Sequence, residues 1–309
     1  KYLMQQAQSL GIKVITLVLS WDNTTTKGLP GCNPDLVVAW TEQMEKELTN
    51  HNDVDVNNVH VGGVVKYDKY FYDIGIENGK NFRERYSLRR GTKVIFYCLE
   101  SPTAYRWNIE MIRIVAEIIE ASLNEFDIKL IVRPHPILYR VEDSKLIYQK
   151  EIDELNNLEK EFSAILFDHP DVYDSNLSFY LHKTEQEKLS LLLKNVDVVL
   201  CFYSSITIEA AIFDTPVINL NLFEKNEIPN YYMSRHTHNQ RLGFTGGLRH
   251  AYTEADLCKL IRMYLLNPAI DREGRSLIVK NETGPNRGRA GASTSKTLED
   301  YLERNRLNE

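Results

Sequence analysis

This chain has few of the features that indicate a metal site, a disulfide framework or a membrane span. Its 309 residues include four cysteines, which lie far apart without a Cys-x-x-Cys spacing, so we expect a reduced, cytoplasmic protein without structural zinc. No apolar run approaches the roughly 18 residues that a membrane-crossing helix needs. The sequence also has no Gly-x-Gly-x-x-Gly loop, no Walker lysine motif, no Gly-x-Ser-x-Gly elbow and no internal repeat, which excludes the commonest nucleotide-binding loops and hydrolase elbows.

The composition is that of an ordinary globular protein with a mild excess of acidic residues. Hydrophobic residues make up 43% and charged residues 26%, the formal net charge is −6, and the pI is about 5.8. An acidic protein of this kind is poorly suited to nucleic acid as its main partner. One basic stretch leaves open a peripheral contact with the inner face of a membrane, although solvated linker charge is the simpler interpretation. Its members are Arg83, Arg85, Arg89 and Arg90.

Short apolar runs alternate along the chain with amphipathic stretches, which predicts an α/β fold built on doubly wound parallel sheets. The first three strands (12–19, 36–40 and 59–61) are too few for a complete open sheet. We therefore expect the N-terminal half of the first domain to lie outside this chain, which begins at Lys1 rather than at methionine. The predicted later strands are 94–99, 129–132, 164–167, 196–202 and 217–220. The predicted domains are a partial N-terminal domain (1–72), a linker (73–92), a C-terminal domain (93–290) and a final helix (291–309).

The stretch 196–220 is the most informative, because it predicts a buried strand, a polar turn, a helix and a second buried strand. Ser204 and Ser205 are predicted N-caps of that helix, with Thr207 in its first turn. Free amides of such a helix point toward the carboxyl edge of a parallel sheet, where a phosphate can bind. Glu209 lies four residues after Ser205 on the same helix face and is placed to accept hydrogen bonds from ribose hydroxyls. A capping box is the alternative, but the acidic residue three positions after the cap is missing.

A second candidate site is Arg133-Pro134-His135-Pro136, which closes strand 129–132. In α/β proteins ligands bind at this end of the strands, and the two prolines stiffen the loop. Arg133 offers a fork of donors to phosphate oxygens, and His135 can donate a proton or a hydrogen bond. A rigid turn with a solvated arginine is the alternative interpretation.

A third candidate site closes strand 12–19, where Asp22 lies between Trp21 and Asn23. Asp22 is a candidate general base, or a group that positions an acceptor hydroxyl. Lys27 is a candidate contact for negative charge on an acceptor. An Asx or Ser/Thr turn explains these residues equally well.

Three further motifs give no support for a metal ion. Asp53-Val54-Asp55 matches the Asp-x-Asp pattern of metal-dependent transferases, but its polar surroundings indicate a solvated turn. His236 and His238 have no third ligand nearby in sequence and are interpreted as part of a solvated loop. Gly246-Gly247 permits a close backbone approach to a ligand, but a simple connection is the slightly better interpretation.

Taken together, these motifs resemble the GT-B superfamily of nucleotide-sugar glycosyltransferases, in particular bacterial surface-polysaccharide enzymes and the CDP-glycerol glycerophosphotransferase-like group. The resemblance spans nearly the whole chain, although its Ser-Ser…Glu…Pro block is shared with non-hydrolysing UDP-N-acetylglucosamine 2-epimerases. It implies two Rossmann-like, doubly wound domains, of which the N-terminal one is partial here. The matching stretches are Trp21–Gly28, Pro34-Asp35, Trp40, Val61–Gly63, Lys66–Asp68, Arg133–Pro136, Ser204–Ala211, Thr215–Ile218, Gly246–Leu248 and Gly284–Gly288.

The resemblance also implies a division of roles, with the donor held by the C-terminal domain and the acceptor by the N-terminal domain. Basic side chains and helix dipoles would stabilise the leaving diphosphate without a metal or cofactor. The implied donor-side residues are Ser101, Thr103, Arg133, His135, Ser204, Ser205, Thr207 and Glu209, with His135 acting on the leaving phosphate. The implied acceptor-side residues are Trp21, Asn23 and Lys27, with Asp22 as the candidate base.

The predicted function is the transfer of a sugar or polyol phosphate from a nucleotide-activated donor to a surface-polysaccharide or cell-envelope acceptor. The expected partners are a nucleotide-sugar or CDP-polyol donor and a glycan or lipid-linked acceptor. A UDP-sugar 2-epimerase-like enzyme is one alternative, and it would require no acceptor. An inactive nucleotide-binding module or partner subunit is the other.

Overall fold

The structure is a computed structural model, and it describes residues 2–27, 32–72, 77–173, 180–182, 184–222 and 233–306. The chain forms two compact units. Unit 1 consists of residues 1–73, 236–241 and 277–309, and unit 2 consists of residues 74–235 and 242–276. No helix in the described part of the chain combines the length and hydropathy needed to cross a bilayer.

Helices and parallel strands alternate along the chain, which confirms the predicted α/β class. The helices are α1 (Tyr2–Ser9), α2 (Asn23–Thr26), α3 (Glu42–His51), α4 (Glu77–Arg85), α5 (Asn108–Ser122), α6 (Gln149–Glu161), α7 (Glu185–Asn195), α8 (Ile206–Ile212), α9 (Thr237–Phe244), α10 (Glu254–Leu266), α11 (Arg272–Glu282) and α12 (Ala290–Arg306). The strands are β1 (Ile15–Leu17), β2 (Leu36–Ala39), β3 (Val59–Val61), β4 (Lys93–Cys98), β5 (Ile128–Arg133), β6 (Val141–Glu142), β7 (Lys145–Leu146), β8 (Ile165–Phe167), β9 (Val198–Cys201), β10 (Val217–Leu220) and β11 (Arg249–Ala251). Short 3-10 helices cover Val56–Asn58, Val65–Phe71 and Pro136–Tyr139.

Unit 1 contains a three-stranded parallel sheet in the order β1-β2-β3. Its register pairs Val37 with Thr16 on one side and with Val59 on the other. All four residues of β2 are buried, as expected for a middle strand that is covered on both faces. Helix α3 begins after Thr41 because the Thr41 side-chain oxygen accepts a hydrogen bond from the Met44 amide at 3.2 Å. The three strands predicted for this region are therefore confirmed.

The last segment of the chain completes unit 1. The backbones of Gly284 and Trp40 lie so close that a Cβ atom at Gly284 would be 1.9 Å from the Trp40 carbonyl oxygen. The Asp68 carboxylate accepts hydrogen bonds from the first two amides of α12 at 2.9 and 2.8 Å, where negative charge is favourable. Residues 277–290 consequently group with unit 1, and this division differs from the predicted domain 93–290.

Unit 2 is built on a six-stranded parallel sheet in the order β11-β10-β9-β4-β5-β8. The chain starts in the middle at β4, builds outward through β5 to β8, and then returns to β9 on the other side of β4. The strand order therefore reverses between β4 and β9, and such a reversal is the topological switch point of a doubly wound sheet. Val94 to Tyr97 of β4 are completely buried, and Ile95 and Tyr97 belong to one hydrophobic core cluster with Met111 and Val115 of α5.

Helix α4 lies within the stretch 73–92 that the sequence suggested as a linker, and it belongs to unit 2. Phe82 on α4 is buried, and its ring lies 5.2 Å from that of Tyr86. The Tyr86 hydroxyl donates a hydrogen bond to the Asp168 carboxylate at 2.7 Å. Arg85 also lies 3.8 Å from Asp168, so one of the basic side chains considered for a membrane surface is directed toward its own unit.

Candidate functional site

The carboxyl ends of β4 and β9 lie side by side at the switch point of unit 2, where open α/β sheets have a crevice between adjacent loops. These two strands are neighbours in the sheet, with Tyr97 paired to Leu200. The loops that follow them, 99–105 and 202–205, therefore meet at one edge of the sheet. Ligands of open α/β sheets bind in this kind of crevice. Four of the predicted site residues lie in these loops, namely Ser101, Thr103, Ser204 and Ser205.

Glu100 joins the two loops, and sequence reasoning did not single it out. Its partly buried carboxylate lies near the Ser204 side chain and the Ser101 backbone. Burial raises the pKa of Glu100 to about 7, although these two polar neighbours favour the charged form. The signal in the sequence was an acidic residue directly after a buried strand, but its partner is 104 positions away along the chain.

The turn after β9 has an unusual backbone conformation. Tyr203 has a φ of 42°, in the left-handed region that a bulky residue rarely adopts. The turn is held because the Tyr203 amide donates a hydrogen bond to Asn219 Oδ1 at 2.6 Å, and Asn219 is fully buried on β10. Strained backbone of this kind is concentrated at functional sites, and Asn219 is a second residue that sequence reasoning missed.

The predicted N-cap role of Ser204 and Ser205 is wrong. Ser205 occupies the N-cap position of α8 but has helical dihedral angles, and its side chain makes no cap hydrogen bond within the described structure. Ser204 precedes the N-cap position, and its side chain lies near Glu100. Among the described residues, the backbone amides of Ser205 and Ile206 donate no hydrogen bond. These two amides remain available to a ligand at the edge of the sheet.

Thr207 and Glu209 lie beneath this turn on α8. Both residues are buried, and the Thr207 hydroxyl is 3.4 Å from the Cys201 thiol. The charges of Glu100, Arg133 and Glu209 act on the pKa of the Cys98 thiol at the end of β4. The side chains of Glu100, Arg133 and Glu209 therefore lie around one edge of the sheet. Arg133 and Glu209 were predicted from the sequence, and Glu100 was not.

Arg133 closes β5 and is the centre of a buried ion-pair cluster. Its two terminal nitrogens donate hydrogen bonds to the carboxylates of Asp168 and Glu185. Burial acts to lower the pKa of Arg133, but these two carboxylates outweigh it and hold the pKa above its ordinary value. The alternative of a solvated arginine is wrong, because the side chain is only 6% exposed. Both terminal nitrogens of the Arg133 guanidinium are thus engaged by carboxylates.

His135 has a defined tautomer. Its Nδ1 accepts a hydrogen bond from the Ile137 amide at 3.2 Å and so caps the 3-10 helix Pro136–Tyr139. Burial lowers the pKa of His135, which favours the neutral imidazole at pH 7. Because Nδ1 is an acceptor, the single proton is assigned to Nε2. His135 can therefore offer one N–H donor to an anion at this edge.

Ser101 and Thr103 form a small polar turn above β4. The Ser101 hydroxyl and the Thr103 hydroxyl lie 2.8 Å apart, and the Ser101 carbonyl accepts hydrogen bonds from the amides of Ala104 and Tyr105 at 2.9 Å each. The two hydroxyls share one hydrogen bond, so one of the two protons is left for a further acceptor.

In unit 1 the candidate residues after β1 are held by local hydrogen bonds. The Asp22 carboxylate accepts from the hydroxyls of Ser20 at 2.5 Å and Thr26 at 3.0 Å, and it lies 3.3 Å from Lys27 Nζ. Burial acts to raise the pKa of this carboxyl group, but the hydrogen bonds and the Lys27 charge outweigh it and lower the pKa. Asn23 Oδ1 accepts from the amide of Ser20 at 3.0 Å. The structure thus shows the local hydrogen bonds that an Asx or Ser/Thr turn makes in this segment.

His238 is a third residue that sequence reasoning missed. The interpretation of a solvated loop is wrong, because His238 lies on α9 and is 3% exposed. Its Nδ1 lies 2.6 Å from Thr25 Oγ1, and its ring meets Trp21 edge-on at 4.5 Å between centroids. The burial of His238 lowers its pKa to about 4, so the imidazole is neutral at pH 7. The burial of His238 depends on its tertiary contacts with Trp21 and Thr25, which lie more than 200 positions earlier in the sequence.

The two remaining motifs have structural explanations. Asp55 caps a 3-10 helix by accepting from the Asn57 amide at 2.9 Å, which fits the predicted solvated turn. Gly247 packs against the backbone of Gly274, where an added Cβ atom would lie 2.5 Å from the carbonyl carbon. Its close backbone approach is thus to another part of unit 2. Across the described residues, no cluster of three or more His, Cys, Asp or Glu side chains could hold a metal ion.

Known structures of similar fold include a UDP co-structure, a putative UDP-N-acetylglucosamine 2-epimerase and a wall teichoic acid polymerase. The S. aureus MnaA–UDP co-structure has a TM-score of 0.56 at 16% identity, and the match covers 87% of this chain and 60% of that one. A putative UDP-N-acetylglucosamine 2-epimerase from Listeria monocytogenes has a TM-score of 0.53 at 14% identity, with 88% and 60% covered. The wall teichoic acid polymerase TagF has a TM-score of 0.56 at 13% identity, with 88% and 59% covered.

At the level of sequence, no protein-family model and no curated protein matches this chain. The chain spans about 60% of the length of the solved structures above. Over that part it has the GT-B-type α/β fold that these structures share, as the sequence motifs predicted.

Proposed function

We propose that unit 2 binds a nucleoside-diphosphate-activated donor at the switch point between β4 and β9. The observation that carries this proposal is the convergence of two polar loops at that crevice, with the free amides of Ser205 and Ile206 at its edge. Nucleotides bind at the switch points of doubly wound sheets. The UDP in the MnaA co-structure and the CDPG in a TagF structure give further support, because both proteins share this fold.

In this proposal the phosphates meet donors from three elements. The amides of Ser205 and Ile206 come from α8, the Nε2–H of His135 comes from the loop after β5, and one hydroxyl proton comes from the pair Ser101 and Thr103. Thr207 stabilises the turn from below. Arg133 contributes as a buried cation that lowers the cost of bringing a dianion to this edge.

Glu209 is the proposed ribose contact. It is buried on α8, one turn after Ser205, and a carboxylate is a strong acceptor for paired ribose hydroxyls. Because the carboxylate and the amides lie on one short helix, a ribose and its attached diphosphate can engage both.

The proposed reaction is transfer of a sugar or polyol phosphate to a surface-polysaccharide or cell-envelope acceptor, without a metal ion. On the acceptor side the proposed contacts are Trp21, Asn23 and Lys27, and Asp22 is the proposed base because it follows β1 at the carboxyl end of a parallel strand. A cytoplasmic enzyme that meets its lipid-linked or glycan acceptor at the membrane face would fit this chemistry.

A UDP-sugar 2-epimerase is the second candidate, since proteins described as UDP-N-acetylglucosamine 2-epimerases share the fold. The two reactions differ in their need for an acceptor. A donor that is consumed only when an acceptor glycan is added supports the transferase. A sugar nucleotide that changes configuration in the absence of any acceptor supports the epimerase, and binding without turnover in either assay supports the inactive module.

The first test is a thermal-shift screen with CDP, UDP, GDP, ADP and CMP, followed by calorimetric titration of the best ligand. Ligand at about 100 times its dissociation constant stabilises the folded state by about 2.7 kcal/mol. Glu209→Ala should weaken binding by roughly 1–3 kcal/mol through loss of the ribose hydrogen bonds. Glu117→Ala is the control, because Glu117 is an exposed carboxylate on α5 of the same unit.

One result would contradict the proposed donor site, and another would contradict only the ribose role of Glu209. Absence of a shift with all five nucleotides would remove the donor site from this unit. A diphosphate that binds Glu209→Ala as tightly as the unchanged protein would leave the site standing but remove the ribose role of Glu209.

A further inference from the structure

The turn that carries the free amides of Ser205 and Ile206 is held by a side chain of the neighbouring strand. Tyr203 stands two residues before Ser205 and has a φ of 42°, a conformation that a bulky residue keeps only where its surroundings impose it. Its amide donates a hydrogen bond to Asn219 Oδ1 at 2.6 Å. Asn219 lies on β10 and is fully buried. The backbone just before the two free amides is therefore fixed by Asn219.

Asn219 is in turn oriented by His250 on β11. Strand β10 lies between β9 and β11, and the register pairs Asn219 with His250. Paired residues on neighbouring strands direct their side chains to the same face of the sheet, and here Asn219 Nδ2 lies 3.3 Å from His250 Nδ1. An amide nitrogen only donates, so Nδ1 is the acceptor and the single ring proton is assigned to Nε2. Burial lowers the pKa of His250, which favours the neutral ring that this contact needs.

Asn219 is the one polar residue in an otherwise apolar strand. The other residues of β10 are Val217, Ile218 and Leu220, and all of them are completely buried. An apolar side chain at position 219 would pack in this strand without the cost of burying an amide. Both polar ends of Asn219 have partners, the Tyr203 amide at Oδ1 and His250 at Nδ2. What the amide group adds to the strand is therefore a defined conformation of the turn after β9.

We infer that Asn219 is a positioning residue for the donor diphosphate, because it holds the turn at Tyr203 in the conformation that aims the amides of Ser205 and Ile206 at the ligand. This inference rests on the proposed donor site. Asn219 acts through the backbone and needs no contact with the ligand. His250 keeps the Asn219 amide from turning, so that Oδ1 stays toward Tyr203. Donors that are fixed before the ligand arrives bind it more tightly, because no order has to be imposed on binding.

Removal of the Asn219 acceptor should weaken the binding of a diphosphate more than that of a nucleoside. In Asn219→Leu the Tyr203 amide loses its partner while the side-chain volume is nearly kept, so the turn can relax and the amides of Ser205 and Ile206 lose their alignment. Loss of one hydrogen bond to a charged group corresponds to roughly 10- to 100-fold in affinity, and we expect a loss of that size for UDP or CDP. Uridine and cytidine lack the phosphates, so their affinity should stay nearly unchanged.

The test is calorimetric titration of UDP and CDP, together with ligand-observed NMR titration of uridine and cytidine, on the unchanged protein and two variants. Thr215→Val is the control, because Thr215 is also buried and its hydroxyl donates to the Leu193 carbonyl at 2.6 Å. Thr215 lies at the amino end of β10, whereas the turn lies at the carboxyl edge of the sheet. The control should lower the free energy of unfolding but leave the ratio of diphosphate to nucleoside affinity unchanged. A merely structural role of Asn219 would likewise weaken both ligands together.

A loss of diphosphate affinity confined to Asn219→Leu, with the nucleoside affinity kept, supports the inference. Equal losses for diphosphate and nucleoside, or no loss for either, would overturn it and leave the donor site in place. If neither diphosphate binds the unchanged protein, the proposed function fails, and the inference fails with it. If Asn219→Leu does not fold, His250→Phe decides, because it removes the acceptor that orients the Asn219 amide and should shift the same ratio in the same direction. An unchanged ratio in His250→Phe would then contradict the inference.

Discussion

Replacement of Arg133 by methionine should destabilise unit 2 strongly, because it removes the cation from a buried cluster and leaves the anions. The side chains of Arg133, Asp168 and Glu185 are only 6%, 3% and 1% exposed. Methionine fills a similar volume and leaves no new donor. The two carboxylates would then remain in the interior without the guanidinium that neutralises them.

The expected loss follows from the partners that remain. Breaking a buried ion pair by removal of one partner costs about 3–5 kcal/mol, because the other charge is left uncompensated. Asp168 would keep the hydrogen bond from the Tyr86 hydroxyl at 2.7 Å, and Glu185 would keep Lys188 Nζ at 2.7 Å. Because these contacts partly compensate the two carboxylates, we expect the loss in the free energy of unfolding to be at the lower end of that range, at about 3 kcal/mol.

The assay is urea denaturation followed by circular dichroism, with the free energy of unfolding compared between variants. Arg113→Met is the control, because Arg113 pairs with Glu161 on the surface and the two side chains are 42% and 46% exposed. Such an exposed pair is worth at most about 1 kcal/mol. A loss in Arg133→Met no greater than that in Arg113→Met would refute the reasoning, since it would mean that the buried carboxylates do not need the guanidinium.

Two further predictions concern unit 1. Gly284→Ala should cost about 3 kcal/mol or more in the free energy of unfolding, because φ is +66° and the new Cβ atom would lie 1.9 Å from the Trp40 carbonyl oxygen. Gly11→Ala should cost only about 1–2 kcal/mol, since φ is +72° but nothing lies within 4 Å, and equal losses would contradict the steric argument. His238 has a pKa lowered to about 4 by burial, so the unfolded chain binds its proton more tightly and stability is lost as the pH falls from about 6.5 toward 4. The unchanged protein should lose about 2 kcal/mol more than His238→Gln between pH 7.5 and pH 5, and equal losses in urea denaturation at the two pH values would contradict the burial of a neutral His238 against Thr25.

Local sequence patterns were sufficient to predict most strands of the fold. The apolar runs near residues 37, 95, 131 and 199 all form buried strands, because only a covered parallel sheet accommodates short, β-branched runs without polar alternation. Helix α10 begins after Thr253, whose side-chain oxygen accepts from the Asp256 amide at 3.0 Å. Such signals succeed because caps and hydrophobic periodicity act over a few residues.

The same reasoning placed Arg133 and His135 at the end of a strand but did not reveal what their side chains contact. Arg133 meets carboxylates 35 and 52 positions later, and nothing near it in sequence indicates those partners. The N-cap prediction for Ser204 and Ser205 failed because Ser205, at the N-cap position, has helical dihedral angles and its side chain makes no cap hydrogen bond within the described structure. Sequence patterns indicate the hydrogen-bond partners that lie a few residues away. Folding brings distant residues close, and these compete with the local partners.

The sequence by itself determined the α/β class and the approximate strands. Those features depend on hydrophobic pattern and turn chemistry, which are local. Only the tertiary structure decided the strand order, and with it the switch point that brings Glu100 beside Ser204 and His238 beside Trp21. These pairs are separated by 100 residues or more, so their contacts and the pKa changes that follow from burial arise only when distant strands and helices pack together.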